Sequence, residues 1–173
     1  RLLEGYTGAK YAVAIVNGTS ALHLSLLLAG IKKNDEVLLP ALTFVASANA
    51  ILYCNAIPNF VDSDKVSLGI DIVKLEKYLK SNCEVNNNVC INKQTGRIIR
   101  GIMPVHVFGH CSNLNQLLNL AKNYNLKVIE DASEALGSFF KNKHLGTFGL
   151  MGVLSFNGNK IITTGGGGAI ITN

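Results

Sequence analysis

The segment VNGTSAL, residues 16–22, combines residue types that can bind a phosphate. An apolar run ends at Asn17 and Gly18, and Thr19 or Ser20 can cap the helix that follows. The start of such a helix offers unpaired backbone N–H groups and the positive end of the helix dipole, which attract an anion. A capped turn between a strand and a helix, without any ligand, explains the same residues, so both interpretations stay open. The segment is neither a Walker loop nor a GxGxxG fingerprint.

A second candidate site is EDASEAL, residues 130–136, where an acidic pair follows an apolar run. Ligands of open parallel sheets bind at the carboxyl ends of the strands, and Asp131 lies at such an end. Asp131 could instead cap a following helical turn, with Glu134 completing a capping box. The sequence alone leaves these two roles for Asp131 open.

The third candidate is SFNGNKIITTGGGG, residues 155–168, which holds Lys160 in a polar stretch between two predicted strands. The four consecutive glycines at its end lose more conformational entropy on folding than other residues would. That cost is justified where the backbone must approach another group closely, although a flexible surface loop would also be rich in glycine. A lone lysine is usually a solvated side chain, so Lys160 is a candidate only because of its surroundings.

Together the three segments supply a phosphate-binding helix start, a carboxylate and a lysine. In pyridoxal 5'-phosphate enzymes a lysine amine binds the cofactor aldehyde covalently, and a carboxylate beside the pyridine nitrogen keeps that nitrogen protonated. A helix start can neutralise the phosphate. The sequence therefore predicts a site for this cofactor, built from segments that are distant along the chain.

Strands that alternate with helices are predicted to hold these segments. The predicted strands cover residues 11–16, 36–39, 57–61, 98–105, 127–129, 153–156 and 169–172. The predicted helices cover residues 21–29, 44–52, 71–79 and 114–124. Short hairpins are predicted where residues 89–91 precede 98–99 and where 138–140 precede 144–145. This alternation predicts an α/β fold: a mostly parallel sheet with helices on both faces, in three layers.

Composition narrows the class of protein. With 173 residues, 48% of them hydrophobic, the chain is long enough for one well-buried core and too short for two full-sized domains. The apolar runs are too short to span a membrane and no secretory signal is visible, so a cytoplasmic protein is predicted. The net charge of +5 is scattered, which points weakly to an anionic ligand and not to nucleic acid. The four cysteines lack Cys-x-x-Cys spacing and are predicted to be reduced.

Five motifs follow one another as they do in the DegT/DnrJ/EryC1/StrS sugar aminotransferases: NGTSAL, LPALTFVASANAI, PVHVFG, EDASEALGS and SFNGNKIITTGGGG. The chain resembles this family over essentially its whole length. The resemblance implies the large domain of an aspartate aminotransferase-like fold, which is fold-type I among pyridoxal-phosphate enzymes. Because family members are longer, it also implies that residues 1–173 are the cofactor-binding large domain, without a short N-terminal piece and the C-terminal small domain. Active sites of the superfamily usually form between two subunits, which implies a homodimer.

By position in these motifs, the resemblance implies cofactor-binding roles for particular residues. Lys160 would be the catalytic lysine that holds the cofactor, and Asp131 would be the partner of the pyridine nitrogen. Phe44 would lie against the cofactor ring, and Glu134 would lie near its phenolic oxygen. The phosphate would be held by Gly18, Thr19, Ser20 and Ser155.

The reaction that the resemblance implies is transfer of an amino group from L-glutamate to a nucleotide-linked keto sugar, a 4-keto-6-deoxy sugar, in polysaccharide biosynthesis. Sugar dehydratases of the same broad family have histidine in place of the lysine, so Lys160 indicates amino transfer rather than dehydration. The alternative is a catalytically idle fragment, or a module that only binds the cofactor or a sugar nucleotide.

One departure from the family pattern lies after the lysine, where the family usually has Gly-Glu-Gly-Gly and this chain has glycine at all of residues 165–168. Together with the predicted hairpin around NKQTG and the string VHVFGH, this departure indicates enzymes of the legionaminic-acid type. His106 and His110 suggest a metal site, but the three residues between them and the lack of a third ligand favour a strand-end and a loop histidine. No metal site is predicted.

Overall fold

The fold, described by a computed structural model of residues 1–173, consists of five α-helices and eleven strands. The helices are α1 (Leu2–Thr7), α2 (Gly18–Leu28), α3 (Val45–Tyr53), α4 (Ile72–Asn82) and α5 (Leu114–Asn123). The strands of the first half are β1 (Tyr11–Ile15), β2 (Glu36–Pro40), β3 (Ile57–Val61), β4 (Cys83–Asn86), β5 (Val89–Asn92) and β6 (Ile98–Ile102). Those of the second half are β7 (Lys127–Asp131), β8 (Phe139–Phe140), β9 (Lys143–His144), β10 (Met151–Ser155) and β11 (Gly168–Thr172).

The central sheet has the strand order β1-β11-β10-β7-β6-β2-β3. The strands from β10 to β3 in this order are parallel to their neighbours, whereas β11 is antiparallel to both β10 and β1. The predicted mostly parallel sheet is therefore confirmed. A parallel sheet brings the carboxyl ends of its strands to one edge, which is where ligands bind in such folds.

Helices cover both faces of this sheet, as strand β2 shows. Val37 and Leu39 pack into the core cluster that contains residues of α2 and α3. Leu38, which points the other way, packs into the cluster that contains residues of α4 and α5. All five residues of β2 are buried, which explains why its sequence is not alternating but continuously apolar after Glu36. The predicted three layers are confirmed.

The helix predicted for residues 21–29 begins earlier, at Gly18. Asn17 has an extended backbone and is the N-cap, because its side chain accepts a hydrogen bond from the backbone N–H of Ser20 at 2.7 Å. Thr19 and Ser20, predicted as capping residues, thus lie inside the first turn. The same shift occurs at α3, where Phe44 is the N-cap residue rather than the first helical one.

The strand predicted for residues 98–105 ends at Ile102 because Pro104 has no N–H to donate to the sheet. Beyond this point the chain pairs irregularly: Met103 N–H donates to Leu38 on one side, and the Pro104 carbonyl accepts from Asp131 on the other. The hairpin at residues 89–91 and 98–99 is confirmed, with Cys90 opposite Ile99.

Two further differences from the prediction lie in residues 72–86. Helix α4 continues to Asn82 rather than ending at residue 79. Strand β4 was not predicted, because its Asn-rich surroundings carry no strand signal and it forms by pairing with β5. The small hairpin of β8 and β9 is confirmed. None of the helices is both long and apolar enough to cross a bilayer.

Candidate active site

A cavity of about 450 Å³ lies at the carboxyl ends of the parallel strands. Its walls come from the start of α2, the segments that follow β2 and β6, the end of β7, and the end of β10 with the loop beyond it. The volume lies within the range of roughly 300–1,000 Å³ that is usual for small-molecule sites. Most of the predicted site residues line it: Gly18, Thr19, Phe44, Asp131, Glu134, Ser155 and Lys160. Ser20, also in the first turn of α2, does not line it.

The helix start and strand β10 meet closely at one end of the cavity. A Cβ atom on Gly18 would lie 3.1 Å from the Ser155 Cβ and 3.3 Å from its hydroxyl, so only glycine leaves this contact relaxed. The Ser155 hydroxyl therefore lies beside backbone N–H groups that have no partner within the helix. This end of the cavity suits an anion.

The glycine run after Lys160 explains how the loop reaches that helix start. A Cβ atom on Gly168 would lie 2.7 Å from the carbonyl carbon of Asn17 and 2.8 Å from the nitrogen of Gly18, so a side chain there would displace the backbone. Gly165 and Gly167 have φ angles of 80° and 133°, which favour glycine. Gly166 has neither feature, since a Cβ atom there would meet nothing within 4 Å.

Lys160 faces a carboxylate inside the cavity. Its Nζ lies 3.1 Å from Oε1 of Glu134 and 5.9 Å from the centre of the Phe44 ring, and its side chain is 13% exposed. Burial alone would raise the pKa of Glu134, but the Phe108 N–H and the Lys160 ammonium outweigh it, so this pKa is lowered. The pair is therefore an ionised carboxylate against an amine.

The turn at Val107–Gly109 holds the second oxygen of Glu134. The backbone N–H of Phe108 donates to Oε2 at 3.0 Å. Phe108 has φ 52° and ψ 26°, a left-handed conformation that costs a bulky residue roughly 1–3 kcal/mol. Its ring is exposed and lines the cavity. A strained residue of this kind at a cavity is a common feature of ligand sites.

Asp131 is almost completely buried and has two protein partners. Its Oδ2 accepts a hydrogen bond from the Ser47 hydroxyl at 2.6 Å, and its Oδ1 accepts from the Ser133 N–H at 3.2 Å. The Thr43 hydroxyl lies 2.8 Å from that of Ser47. No helix follows Asp131, so the capping box with Glu134 does not form, and Asp131 lies at the strand end as the ligand-binding interpretation requires.

Beside Asp131, Glu130 is fully buried in a network of its own. Its carboxylate lies 2.8 Å from His106 Nε2 and accepts the backbone N–H groups of Gly146, Phe148 and Gly149 at 2.6–2.9 Å. Burial would raise the pKa of Glu130, but His106 and the backbone N–H groups outweigh it and lower this pKa. His106 is thus committed to a carboxylate, and His110 is exposed on the following loop.

The model of the DegT/DnrJ/EryC1/StrS aminotransferase family matches residues 1–173. The chain belongs to this family.

Relatives within the family support that assignment. A GDP-perosamine synthase of Caulobacter vibrioides is 44% identical over 168 residues, which are 97% of this chain and 41% of that protein. The crystal structure of ntda from Bacillus subtilis with bound cofactor PMP is 32% identical with a TM-score of 0.80, over 98% of this chain and 35% of that one. The structure of GDP-4-keto-6-deoxymannose-3-dehydratase with bound GDP-perosamine is 28% identical with a TM-score of 0.83. The match covers 99% of this chain and 42% of that one. The chain therefore spans about two fifths of the length of the curated relatives it matches.

Enzymes of the DegT/DnrJ/EryC1/StrS family depend on pyridoxal phosphate, and the cavity suits this cofactor. Lys160 and the Asp131 carboxylate line one cavity together with the helix start. The absence of a side chain at Gly18 leaves that helix start open beside Ser155. An amine, a buried anion and an anion-binding helix start are thus available to the aldehyde, the ring nitrogen and the phosphate.

The sequence did not reveal several residues of this site. Ser47 is a buried residue of α3, and only the fold brings it to Asp131. The conformation of Phe108 likewise has no sequence signal beyond the glycine that follows it, Gly109, whose φ is 81°. His106 was predicted as a strand-end histidine, and its bond to Glu130 depends on adjacent strands of the sheet.

Proposed function

We propose that the protein carrying this chain is a pyridoxal-phosphate-dependent aminotransferase that moves an amino group from L-glutamate to a nucleotide-linked keto sugar. The observation that carries the proposal is the presence of the Lys160 amine and the buried Asp131 carboxylate in one cavity with the start of α2. Residues 1–173 are then its cofactor-binding large domain. Family membership supports the reaction type.

The predicted site residues that line the cavity have distinct roles in this proposal. Lys160 holds the cofactor and carries the proton at its Nζ to and from the substrate carbon, which requires a neutral amine for part of the cycle. When bound, pyridoxal phosphate supplies a ring that takes up the electrons left on that carbon. Asp131 keeps the ring nitrogen protonated. Gly18, Thr19 and Ser155 hold the phosphate.

The remaining assignments concern the ring and its substituents. Phe44 packs against the ring, which is consistent with the 5.9 Å between its centroid and Lys160 Nζ. Glu134 lies near the phenolic oxygen of the cofactor. Its carboxylate lies 3.1 Å from Lys160 Nζ, the atom that binds the cofactor in this proposal, which supports this assignment. Ser20 contributes through the helix start rather than through its side chain, since it does not line the cavity.

For the acceptor we propose a nucleotide-linked 4-keto-6-deoxy sugar, in which the sugar is joined to a nucleoside diphosphate. The names of the relatives support this choice, because one is a GDP-perosamine synthase and another holds bound GDP-perosamine. Lys160, where dehydratases of the broad family have histidine, supports amino transfer. The legionaminic-acid type of sugar stays a prediction from the glycine run and the hairpin.

We also propose a cytoplasmic homodimer. Phe44 and Phe108, which line the cavity, and Ile161 and Ile162, which follow Lys160 in the chain, are exposed apolar side chains. A second subunit that covers them would remove apolar surface from water and enclose the cofactor.

The test is reductive trapping in the full-length protein. The protein, a Lys160→Ala variant and a control variant at the exposed Lys80 are mixed with pyridoxal phosphate and reduced with borohydride, and the added mass is located by peptide mass spectrometry. Label at Lys160 in the wild type and the control, and its loss in Lys160→Ala, supports the site. Formation of 2-oxoglutarate from L-glutamate, dependent on a GDP-linked 4-keto-6-deoxy sugar, supports the reaction. Absence of any selective label would leave a module that binds sugar nucleotides as the better account.

A further inference from the structure

Ser47 is a buried hydroxyl that reaches the active-site carboxylate from another layer of the fold. It lies in the first turn of α3, is 0% exposed, and is 84 positions from Asp131 in the sequence. Its Oγ lies 2.6 Å from Oδ2 of Asp131, a length typical of a hydroxyl bound to a charged carboxylate. The other contact of Asp131, with the Ser133 N–H, comes from its own turn. Ser47 is therefore the side chain that ties this carboxylate to helix α3.

The direction of the hydrogen bonds in this chain follows from proton count. An ionised carboxylate only accepts, so the single hydroxyl proton of Ser47 is donated to Asp131. The Thr43 hydroxyl, 2.8 Å away, is then the donor in its contact with Ser47, and the Phe44 carbonyl, 3.2 Å from the same hydroxyl, is the other acceptor for this proton. Thr43 also lines the cavity, so the oxygen that it presents there can accept a hydrogen bond but has no proton left to donate. Both groups at this end of the cavity, Asp131 and Thr43, are thus acceptors.

We propose that Ser47 is a positioning residue that holds Asp131 ionised and oriented toward the ring nitrogen of the cofactor, with Thr43 completing the chain of hydroxyl groups. This inference rests on the proposed function, in which Asp131 faces that nitrogen. Two aligned hydroxyl groups stabilise the anion cooperatively and restrict its rotation. Two acceptors, Asp131 and the Thr43 hydroxyl oxygen, match a ring nitrogen that carries a proton.

The chain offers a matched control for this role. Ser25, in helix α2, is as fully buried as Ser47, but its hydroxyl has no hydrogen-bond partner. Ser25→Ala therefore removes the same atom from a buried helix without breaking a contact to the site. Ser47→Thr retains a hydroxyl and is the conservative variant. Thr43→Val removes only the outer hydroxyl and lies at a less buried position.

The experiment uses the full-length protein loaded with pyridoxal phosphate that carries ¹⁵N in its ring. The ¹⁵N chemical shift of the ring nitrogen distinguishes the protonated from the neutral ring, and the rate of the half-reaction with L-glutamate is measured on the same samples. In Ser47→Ala we expect the shift to move toward the neutral ring and the rate to fall roughly tenfold, the effect of one hydrogen bond to a charged group. Thr43→Val should move both in the same direction by less, Ser47→Thr should restore them in part, and Ser25→Ala should leave both unchanged.

Each outcome separates this inference from the proposal on which it rests. If Ser47→Ala and Thr43→Val bind the cofactor and keep the wild-type shift and rate, the positioning role is wrong and the proposed function stands. If Ser25→Ala causes the same loss as Ser47→Ala, the effect comes from helix packing and the role is again wrong. If the wild type itself takes up no cofactor at Lys160, the proposed function fails and the inference fails with it. Should Ser47→Ala not fold, Thr43→Val decides the question.

Discussion

The amine of Lys160 and the carboxylate of Glu134 lie 3.1 Å apart inside the cavity, although they come from different loops 26 positions apart in the sequence. The other oxygen of Glu134 is bound by the Phe108 N–H. A glutamine at this position could not satisfy both donors, because its amide group has a single oxygen. The two oxygens of Glu134 therefore bind the Lys160 amine and the Phe108 N–H at the same time.

Glu134→Gln should lower the free energy of unfolding at neutral pH by about 0.5–1 kcal/mol, a small effect because the carboxylate is 35% exposed and solvent screens the pair. The pKa of Glu134 is lowered in the folded protein, so the stability that it contributes is present above its ordinary pKa of 4.5 and is lost as the pH falls through the lowered value. Urea unfolding of wild type and variant between pH 7 and pH 3 measures this difference. The exposed Glu84 supplies the control, and a difference that persisted unchanged in acid would contradict the ion pair.

Asp131→Asn should slow the half-reaction with L-glutamate far more than it weakens cofactor binding. Asparagine keeps the size and can still accept from Ser47, but it has no charge with which to hold a proton on the ring nitrogen. We expect a fall in rate of roughly hundredfold. Stopped-flow absorbance gives the rate, and cofactor titration gives the affinity. Unchanged rates would exclude Asp131 as the partner of the ring nitrogen.

Candidate site residues could be predicted from sequence where a short motif carries the signal by itself. Asp131 and Lys160 became candidates because each lies in a short local motif, although the sequence alone left a capping role for Asp131 open, and the fold brings both residues into one cavity. The alternation of strands and helices was enough to predict the mostly parallel sheet and its layers, and the turn-like string NKQTG was enough to predict the hairpin in which Cys90 lies opposite Ile99.

What could not be predicted depends on contacts between distant segments. Ser47 looks like any small residue of an apolar helix, and its contact with Asp131 appears only when the fold brings the first turn of α3 to the end of β7. The left-handed conformation of Phe108 is imposed by its surroundings against its own preference. The start of α2 was predicted too late because Asn17, rather than Thr19 or Ser20, is the N-cap: its side chain accepts a hydrogen bond from the backbone N–H of Ser20.

Gly168→Ala should impair both folding and cofactor binding, whereas Gly166→Ala should not. A Cβ atom at Gly168 meets the backbone at Asn17 and Gly18 within 3 Å, and backbone moves less readily than a side chain. We expect a loss of about 1–3 kcal/mol in the free energy of unfolding and weaker binding, since the phosphate end of the cavity shifts with the helix start. Gly166 has open space around it and an ordinary backbone, so alanine there should be neutral or stabilise by up to about 1 kcal/mol. Equal effects of the two substitutions, measured by thermal unfolding with and without cofactor, would mean that the glycine run is only a flexible loop.

Glu130→Gln tests the network that supports the neighbouring Asp131. Glu130 is fully buried and bound by His106 and by the N–H groups of Gly146, Phe148 and Gly149, so glutamine leaves part of this set unpaired. We expect a loss of about 3–5 kcal/mol in the free energy of unfolding near pH 7.

The pH dependence of that loss gives the sharper result. The pKa of Glu130 is lowered on folding, so the folded state binds fewer protons than the unfolded state in acid. The contribution of the carboxylate is therefore complete above pH 4.5 and declines as the pH falls toward the lowered pKa, which is where wild type and Glu130→Gln should converge in stability. Glu76→Gln, at an exposed site paired with Lys80, should change stability by only about 0.3–0.5 kcal/mol across the same range. If the free energy of unfolding of Glu130→Gln ran parallel to that of wild type down to pH 3, the carboxylate would not be ionised in the folded protein. Glu130 would then bind His106 and the backbone N–H groups as a neutral acid.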